Sequence, residues 1–170
     1  MSDKIFIIGQ IFGIIAVLIG FLSFQVKTAK KLLMMQITMS IFFCIHYLLI
    51  GARSALVMNT LGIACKLVYC YRDKRIFTHK AVPIVLSLFM GIAGLFSWQG
   101  CYSLFIILGL MINTFFLSAK DAQIIRKSIL LTSPLVIIYN IFVLSIGGII
   151  YESIAIISSL IGIIRYAKRP

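Results

Sequence analysis

The sequence predicts an all-α membrane protein. Seven transmembrane helices form a 3+1+3 parallel repeat, with the N-terminus outside and the C-terminus in the cytoplasm. Three observations lead there. Of the 170 residues, 62% are hydrophobic and 12% are charged, about half the charged fraction of a soluble domain. The mean hydropathy of +1.13 agrees. A globule of this size leaves too much surface exposed to hide such apolar content, so a soluble domain and a disordered chain are both excluded. The sixteen Lys and Arg against four Asp and Glu, net +12, are gathered between apolar runs. The chain is also self-similar at an offset of 93 residues.

A helix crosses a bilayer with about 20 apolar residues, roughly 17 to 25 being tolerated. Reading from charge cluster to charge cluster gives the spans in order. Ile5–Phe24 is the first. Its apolar run is too long for a signal peptide, and no small-residue cleavage site follows. Leu32–Ile50 is the second, after Lys27, Lys30 and Lys31. Ala55–Tyr71 is the third, short and interrupted by Lys66. Ala81–Ser97 is the fourth, entered through Arg72, Lys74, Arg75 and Lys80. Leu104–Ser118 is the fifth and also short. Ser128–Ser145 and Ile149–Ile164 are the last two. Between them Gly147-Gly148 can take the positive dihedrals of a tight hairpin.

Thirteen of the sixteen basic residues fall on one side of such an arrangement, after spans one, three, five and seven. Lys4 and Arg53 fall on the other, and Lys66 can snorkel towards the basic side. The positive-inside rule then fixes the orientation, and an even number of spans would break the alternation. Trp98 suits an outer interface. In a soluble protein +12 would suggest nucleic acid; here it marks topology, and anionic lipid headgroups at the cytoplasmic face are the expected partners. No nucleic-acid partner is expected. Cys44, Cys65, Cys70 and Cys101 show no metal or redox spacing and are expected as buried small apolar residues. No motif for a cofactor, metal, nucleophile or phosphate loop occurs, so an enzyme is not expected.

Sliding the chain by 93 residues lays Phe12–Arg75 over Phe105–Lys168 without a gap. Identities are few. The register carries the signal: spans one to three fall on spans five to seven, Val26-Lys27-Thr28-Ala29 on Ala119-Lys120-Asp121-Ala122, Ser40 on Ser133, and Asn59-Thr60 on Glu152-Ser153. One transmembrane domain, residues 1–170, thus divides into a first repeat (5–75), a linker helix (76–100) and a second repeat (101–170).

This arrangement resembles the SWEET / PQ-loop (MtN3-like) transporter superfamily. Phe24-Gln25-Val26-Lys27-Thr28-Ala29-Lys30-Lys31 is similar to a degenerate PQ-loop motif, with Phe24 where the family has proline. In the second half the matching pair is Leu117-Ser118. Gly20-Phe21-Leu22-Ser23-Phe24-Gln25, the Lys-rich turn and Ile45-His46-Tyr47-Leu48-Leu49-Ile50-Gly51-Ala52 are similar to the YgjV-like family of the bacterial inner membrane. That resemblance implies a multi-pass inner-membrane protein and names no substrate. SWEET-type proteins hold substrate with asparagines on the third helix of each repeat. The resemblance puts that role on Asn59 and, with an acid in place of Asn, on Glu152.

Polar groups inside a bilayer are costly and mark function by default. Glu152 is the one carboxylate within a span. Asn59, its repeat mate, His46 and Tyr47 in span two, and Tyr139 and Asn140 in span six lie at a similar depth, with Asn113 below them. These seven are the expected substrate-binding residues. Glu152 and His46 are the expected proton-coupling pair, since a Glu–His pair can carry a proton. Hydrogen-bonded glue between helices is the structural alternative for each. Pro134 would free a carbonyl and serve as a hinge. Gly9 and Gly13 form a GxxxG that favours close packing, and with it a dimer; with both halves in one chain a monomer suffices. The expected function is a small-solute transporter, facilitated or proton-coupled. The alternative is a non-transporting membrane protein that binds a lipid or a protein partner.

Overall fold

The computed structural model describes residues 3–23, 29–71, 79, 81–119 and 122–167. The Phe24–Thr28 part of the PQ-like stretch lies outside them, as do Arg72, Lys74, Arg75, Lys80, Lys120, Lys168 and Arg169 of the basic clusters. Among the described residues there are seven helices and no strand. They are α1 (Asp3–Ser23), α2 (Ala29–Leu49), α3 (Arg53–Cys70), α4 (Val82–Phe96), α5 (Ser103–Phe116), α6 (Ala122–Phe142) and α7 (Ile146–Ala167).

Among the described residues three stretches are long and apolar enough to cross a membrane: Asp3–Ser23, Gln123–Phe142 and Ile146–Ile164. Leu33–Leu49, Val82–Phe96 and Ser103–Phe116 are apolar but shorter. The 14 residues of α5 reach about 21 Å, less than the ~30 Å hydrocarbon core. The third helix is the most polar of the shorter ones, carrying Arg53, Asn59, Thr60 and Lys66. Of the seven expected spans, several of them short, length and apolarity alone support three.

Two boundaries need correction. Helix α6 begins at Ala122, six residues before the expected Ser128, and takes Gln123, Arg126 and Lys127 into its first turns. Charge marks where a helix leaves an apolar medium; it does not end the helix. The expected Gly147-Gly148 hairpin is the second error. Both glycines lie inside the first turn of α7. The chain reverses instead at Val143-Leu144-Ser145, where Leu144 takes φ 55°. Ser145 caps the new helix, its Oγ accepting from the Gly148 N–H at 3.1 Å, the usual bond of an N-cap serine.

What the two glycines supply is close approach. A Cβ on Gly147 would lie 2.7–2.9 Å from the backbone of Gly13, and one on Gly148 would lie 2.5–2.6 Å from the Asn140 side chain. Gly13 also faces the His46 ring, and Gly9 packs on Leu49 and Ile50. The GxxxG is thus spent on α1–α2 and α1–α7 contacts within the chain. It is not a free stripe for a second copy.

Packing follows a closed circuit. Each helix pair α1–α2, α2–α3, α3–α5, α5–α6, α6–α7 and α7–α1 is in contact, and α4 lies outside against α5 and α3. Four boundaries recur at an offset of 93: Ser23 with Phe116, Ala29 with Ala122, Leu49 with Phe142, and Arg53 with Ile146. The core gathers residues from both halves and from α4: Ala16, Phe43, Met58 and Tyr69, then Met90 of α4, then Ile106 and Tyr139. Outward faces carry large apolar side chains such as Leu18, Val85, Phe96 and Ile161, as expected where the solvent is lipid. Of the cysteines, all free, Cys65 is buried, Cys44 and Cys70 are half-buried and Cys101 is exposed. The expectation of four buried thiols holds for Cys65 alone, because Cys101 falls in the turn before α5.

Candidate functional site

Inside the circuit lies a cavity of about 120 Å³. Helix α2 contributes Gln36, Met39, Phe43 and Tyr47, and α3 contributes Asn59 and Lys66. Ile106, Leu110 and Asn113 come from α5, and Ile125, Ile129, Thr132, Ser133 and Val136 from α6. The last wall is α7, with Gly148, Tyr151, Glu152 and Ala155. The surface is apolar with a few converging polar groups, as ligand sites usually are.

Helical periodicity explains how these side chains meet. Gly148, Glu152 and Ala155 are spaced by four and three residues and share one face of α7, and Asn59 and Lys66 are seven apart on one face of α3. Of the expected site residues, Asn59, Glu152, Tyr47 and Asn113 line the cavity. The Asn59 amide donates to the Ala55 carbonyl at 3.0 Å, which leaves its Oδ1 for the cavity. No hydrogen bond joins the Asn113 side chain to a described residue.

His46, Tyr139 and Asn140 are not in the lining. They form a buried polar layer near the C-terminal ends of α2 and α6, each 0% exposed. His46 Nδ1 is 2.7 Å from the Gly9 carbonyl and Nε2 is 2.7 Å from Ser145 Oγ. A carbonyl only accepts, so Nδ1 carries the proton of the neutral ring and Nε2 accepts from Ser145. With both nitrogens engaged, His46 has no bond to offer Glu152, and the expected Glu–His proton pair does not form. The imidazole instead ties α1, α2 and the α6–α7 turn together. His46→Leu would leave the buried Ser145 hydroxyl without its acceptor, at a cost of about 1–3 kcal/mol. We expect a lowered Tm in thermal unfolding of the purified protein; an unchanged Tm would contradict this tying role.

Tyr139 has a capping role. Its hydroxyl accepts from the Ala55 N–H at 3.2 Å, and Gln99 Oε1 accepts from the Ser54 N–H at 3.0 Å. The first turn of α3, whose N-cap residue Ala52 makes no side-chain bond, is thus capped by distant side chains, which satisfies its orphan donors. Tyr47, 93 residues before Asn140, donates to Asn140 Oδ1 at 2.9 Å. The Asn140 Nδ2 is buried and has no hydrogen-bond partner among the described residues. Pro134 lies inside α6 with its ring on the exposed face, one residue beyond Ser133.

The main residue missed from sequence is Lys66. Its expected snorkelling is wrong. The ammonium turns inward, donates to Ser40 Oγ at 2.6 Å, and lines the same cavity as Glu152. The physical reason is that Ser40 offers an acceptor within the helix packing, which the lipid side does not. Glu152 in turn faces the Ser133 hydroxyl. Ser40 and Ser133 are 93 residues apart, so two equivalent serines on α2 and α6 attend opposite charges. The spacing of seven from Asn59 was the signal that could have placed Lys66 on the inner face.

An all-helical chain with an apolar exterior and an internal, charge-bearing cavity defines a polytopic membrane protein. The family model Imp-YgjV, described as a bacterial inner membrane protein, matches residues 7–170. The chain belongs to that family. No curated protein and no solved structure matches it.

Proposed function

We propose that the chain is a small-solute carrier, not an enzyme, with its substrate held in the cavity between two three-helix halves. The observation that carries this reading is the cavity itself. Asn59 and Glu152 occupy equivalent places on α3 and α7, and both line it together with Asn113 and Tyr47. A protein that merely docked a lipid or partner would have no need of polar groups gathered away from its outer surface. The helix boundaries that recur at 93 residues support a 3+1+3 parallel repeat of the SWEET / PQ-loop kind. The basic clusters support an outer N-terminus and a cytoplasmic face in contact with anionic lipid.

The layer of His46, Tyr47, Tyr139 and Asn140 acts in this reading as the outer gate, closed in the conformation described, and the halves rock to expose the cavity alternately. Pro134 is the hinge of that movement. Any proton coupling passes through Glu152 without His46. The experiment is a thermal-shift screen of the purified protein against small metabolites, followed by flux of the hits in proteoliposomes. We expect a stabilising solute whose effect is lost in Asn59→Ala and Glu152→Ala, and whose flux the protein accelerates. Binding without accelerated flux would overturn the carrier reading. Equal transport by wild type and Glu152→Gln at every pH would remove the proton-coupled form of it.

A further inference from the structure

The cavity contains two opposite formal charges that do not touch. Among its lining residues Lys66 and Glu152 are the charged ones. Lys66 is held by Ser40 rather than paired directly with Glu152. The two are nonetheless near enough to interact electrostatically. A charge drawn from water into a protein interior is costly unless it is matched and hydrogen-bonded. Here each charge has one serine as its hydrogen-bond partner and borders the cavity. Lys66 uses one of its three N–H donors on Ser40, and the Glu152 carboxylate has room for several more bonds than Ser133 can fill.

We propose that the cavity binds a small zwitterion, a molecule that carries both an ammonium and a carboxylate, as a short amino acid does. The ligand carboxylate meets Lys66 and the ligand ammonium meets Glu152. Such a ligand has no net charge, so entry adds none to the interior while it pairs both charges already there. A sugar or polyol would leave both unmatched. A simple amine would leave Lys66 unpaired, and a simple carboxylate would leave Glu152 so. The Asn59 Oδ1 and the Asn113 amide are available for the remaining polar atoms of the ligand. Size narrows the class. A cavity of about 120 Å³ holds several waters, and a solute of glycine or alanine size fits such a space.

This inference deepens the carrier reading and rests on its choice of cavity. The test uses the full chain, both in detergent and in proteoliposomes. Five probes of similar size are compared: glycine, L-alanine, propionate, propylammonium and glycerol. We expect glycine and L-alanine to raise the Tm and to exchange across the vesicle membrane, and the other three to do neither. Lys66→Met and Glu152→Gln should each weaken L-alanine binding by about tenfold or more, and Lys66→Arg should retain most of it. If a neutral variant fails to fold, the exchanged pair Lys66→Glu with Glu152→Lys keeps the charge balance and should still bind L-alanine. Glycerol or a singly charged probe that binds and exchanges as well as L-alanine would overturn the zwitterion assignment and leave the carrier reading standing. L-alanine binding that depends on both charges, without exchange, would support the assignment and overturn the carrier reading. Binding of none of the five probes would overturn the assignment.

Discussion

Gly147→Ala should be among the most damaging single-methyl additions to this protein. The added Cβ would lie 2.7 Å from the Gly13 carbonyl carbon and 2.8 Å from its Cα. These are backbone atoms of α1 and cannot rotate away as a side-chain tip can. Overpacking of a core typically costs about 1–3 kcal/mol, and a backbone-to-backbone contact belongs at the upper end. Alternatively the N-terminus of α7 must move off α1. That movement would strain two bonds from Gln10, which donates to the Leu144 carbonyl at 2.7 Å and accepts from the Ile146 N–H at 3.2 Å. The same displacement disturbs Ser145 and with it the bond to His46. Thermal unfolding in detergent, read beside size-exclusion behaviour, should show a marked drop in Tm or loss of monodisperse protein. Gly62→Ala is the matched control. Apart from the adjoining backbone of α3, no described atom lies within 4 Å of a Cβ at Gly62, and alanine is favoured over glycine in a helix interior by about 0.5–1 kcal/mol. That variant should be neutral or slightly stabilised. Equal Tm for Gly147→Ala and wild type would mean that α1 and α7 do not meet as described.

The same glycines show where sequence reading succeeds and where it stops. Helices could be read because apolar runs and charge clusters alternate, and the 93-residue offset already aligned Asn59 with Glu152. Periodicity then sufficed to bring both into one cavity with Tyr47 and Asn113. Gly147-Gly148 could not be decided, since glycine serves both positive dihedrals and close approach, and only the position of Gly13 and Asn140 distinguishes the two. His46 and Tyr139 looked like ligand-binding groups by residue type and depth. Their partners are a backbone carbonyl, a serine and an orphan N–H at a helix start, none of which a single sequence can pair with them. The direction of Lys66 escapes a sequence reading for a different reason. The positive-inside rule counts loop charges and says nothing of a lysine within a span, whose long stem can turn either way. What settles its direction is Ser40 on the neighbouring helix, and a lone serine in an apolar helix carries little signal.

A double-mutant cycle on Lys66 and Glu152 should show strong coupling in stability, whether or not a ligand is present. Glu152→Gln alone leaves Lys66 as an unmatched cation in the interior, with Ser40 as its described hydrogen-bond partner. Lys66→Met alone leaves Glu152 as an unmatched anion facing Ser133. Removal of one member of a dry buried pair costs about 3–5 kcal/mol. Here the charges are separated and border a 120 Å³ cavity that admits water, so each single change should cost less, about 2 kcal/mol. The double variant Lys66→Met with Glu152→Gln removes both charges and leaves no net charge behind. It should recover more than half of the summed losses, as replacements of buried ion pairs by neutral groups often do. The cycle is read from four Tm values in one detergent and one buffer, because residues that interact deviate from additivity by about 0.5–3 kcal/mol. Strict additivity would mean that the two charges do not sense one another across the cavity. It would remove the electrostatic ground for a dipolar ligand while leaving the helix packing untouched. Recovery in the double variant, with L-alanine binding lost in the same protein, would separate the two roles of these residues. Their mutual charge balance would then account for the fold, and their two separate heads for recognition.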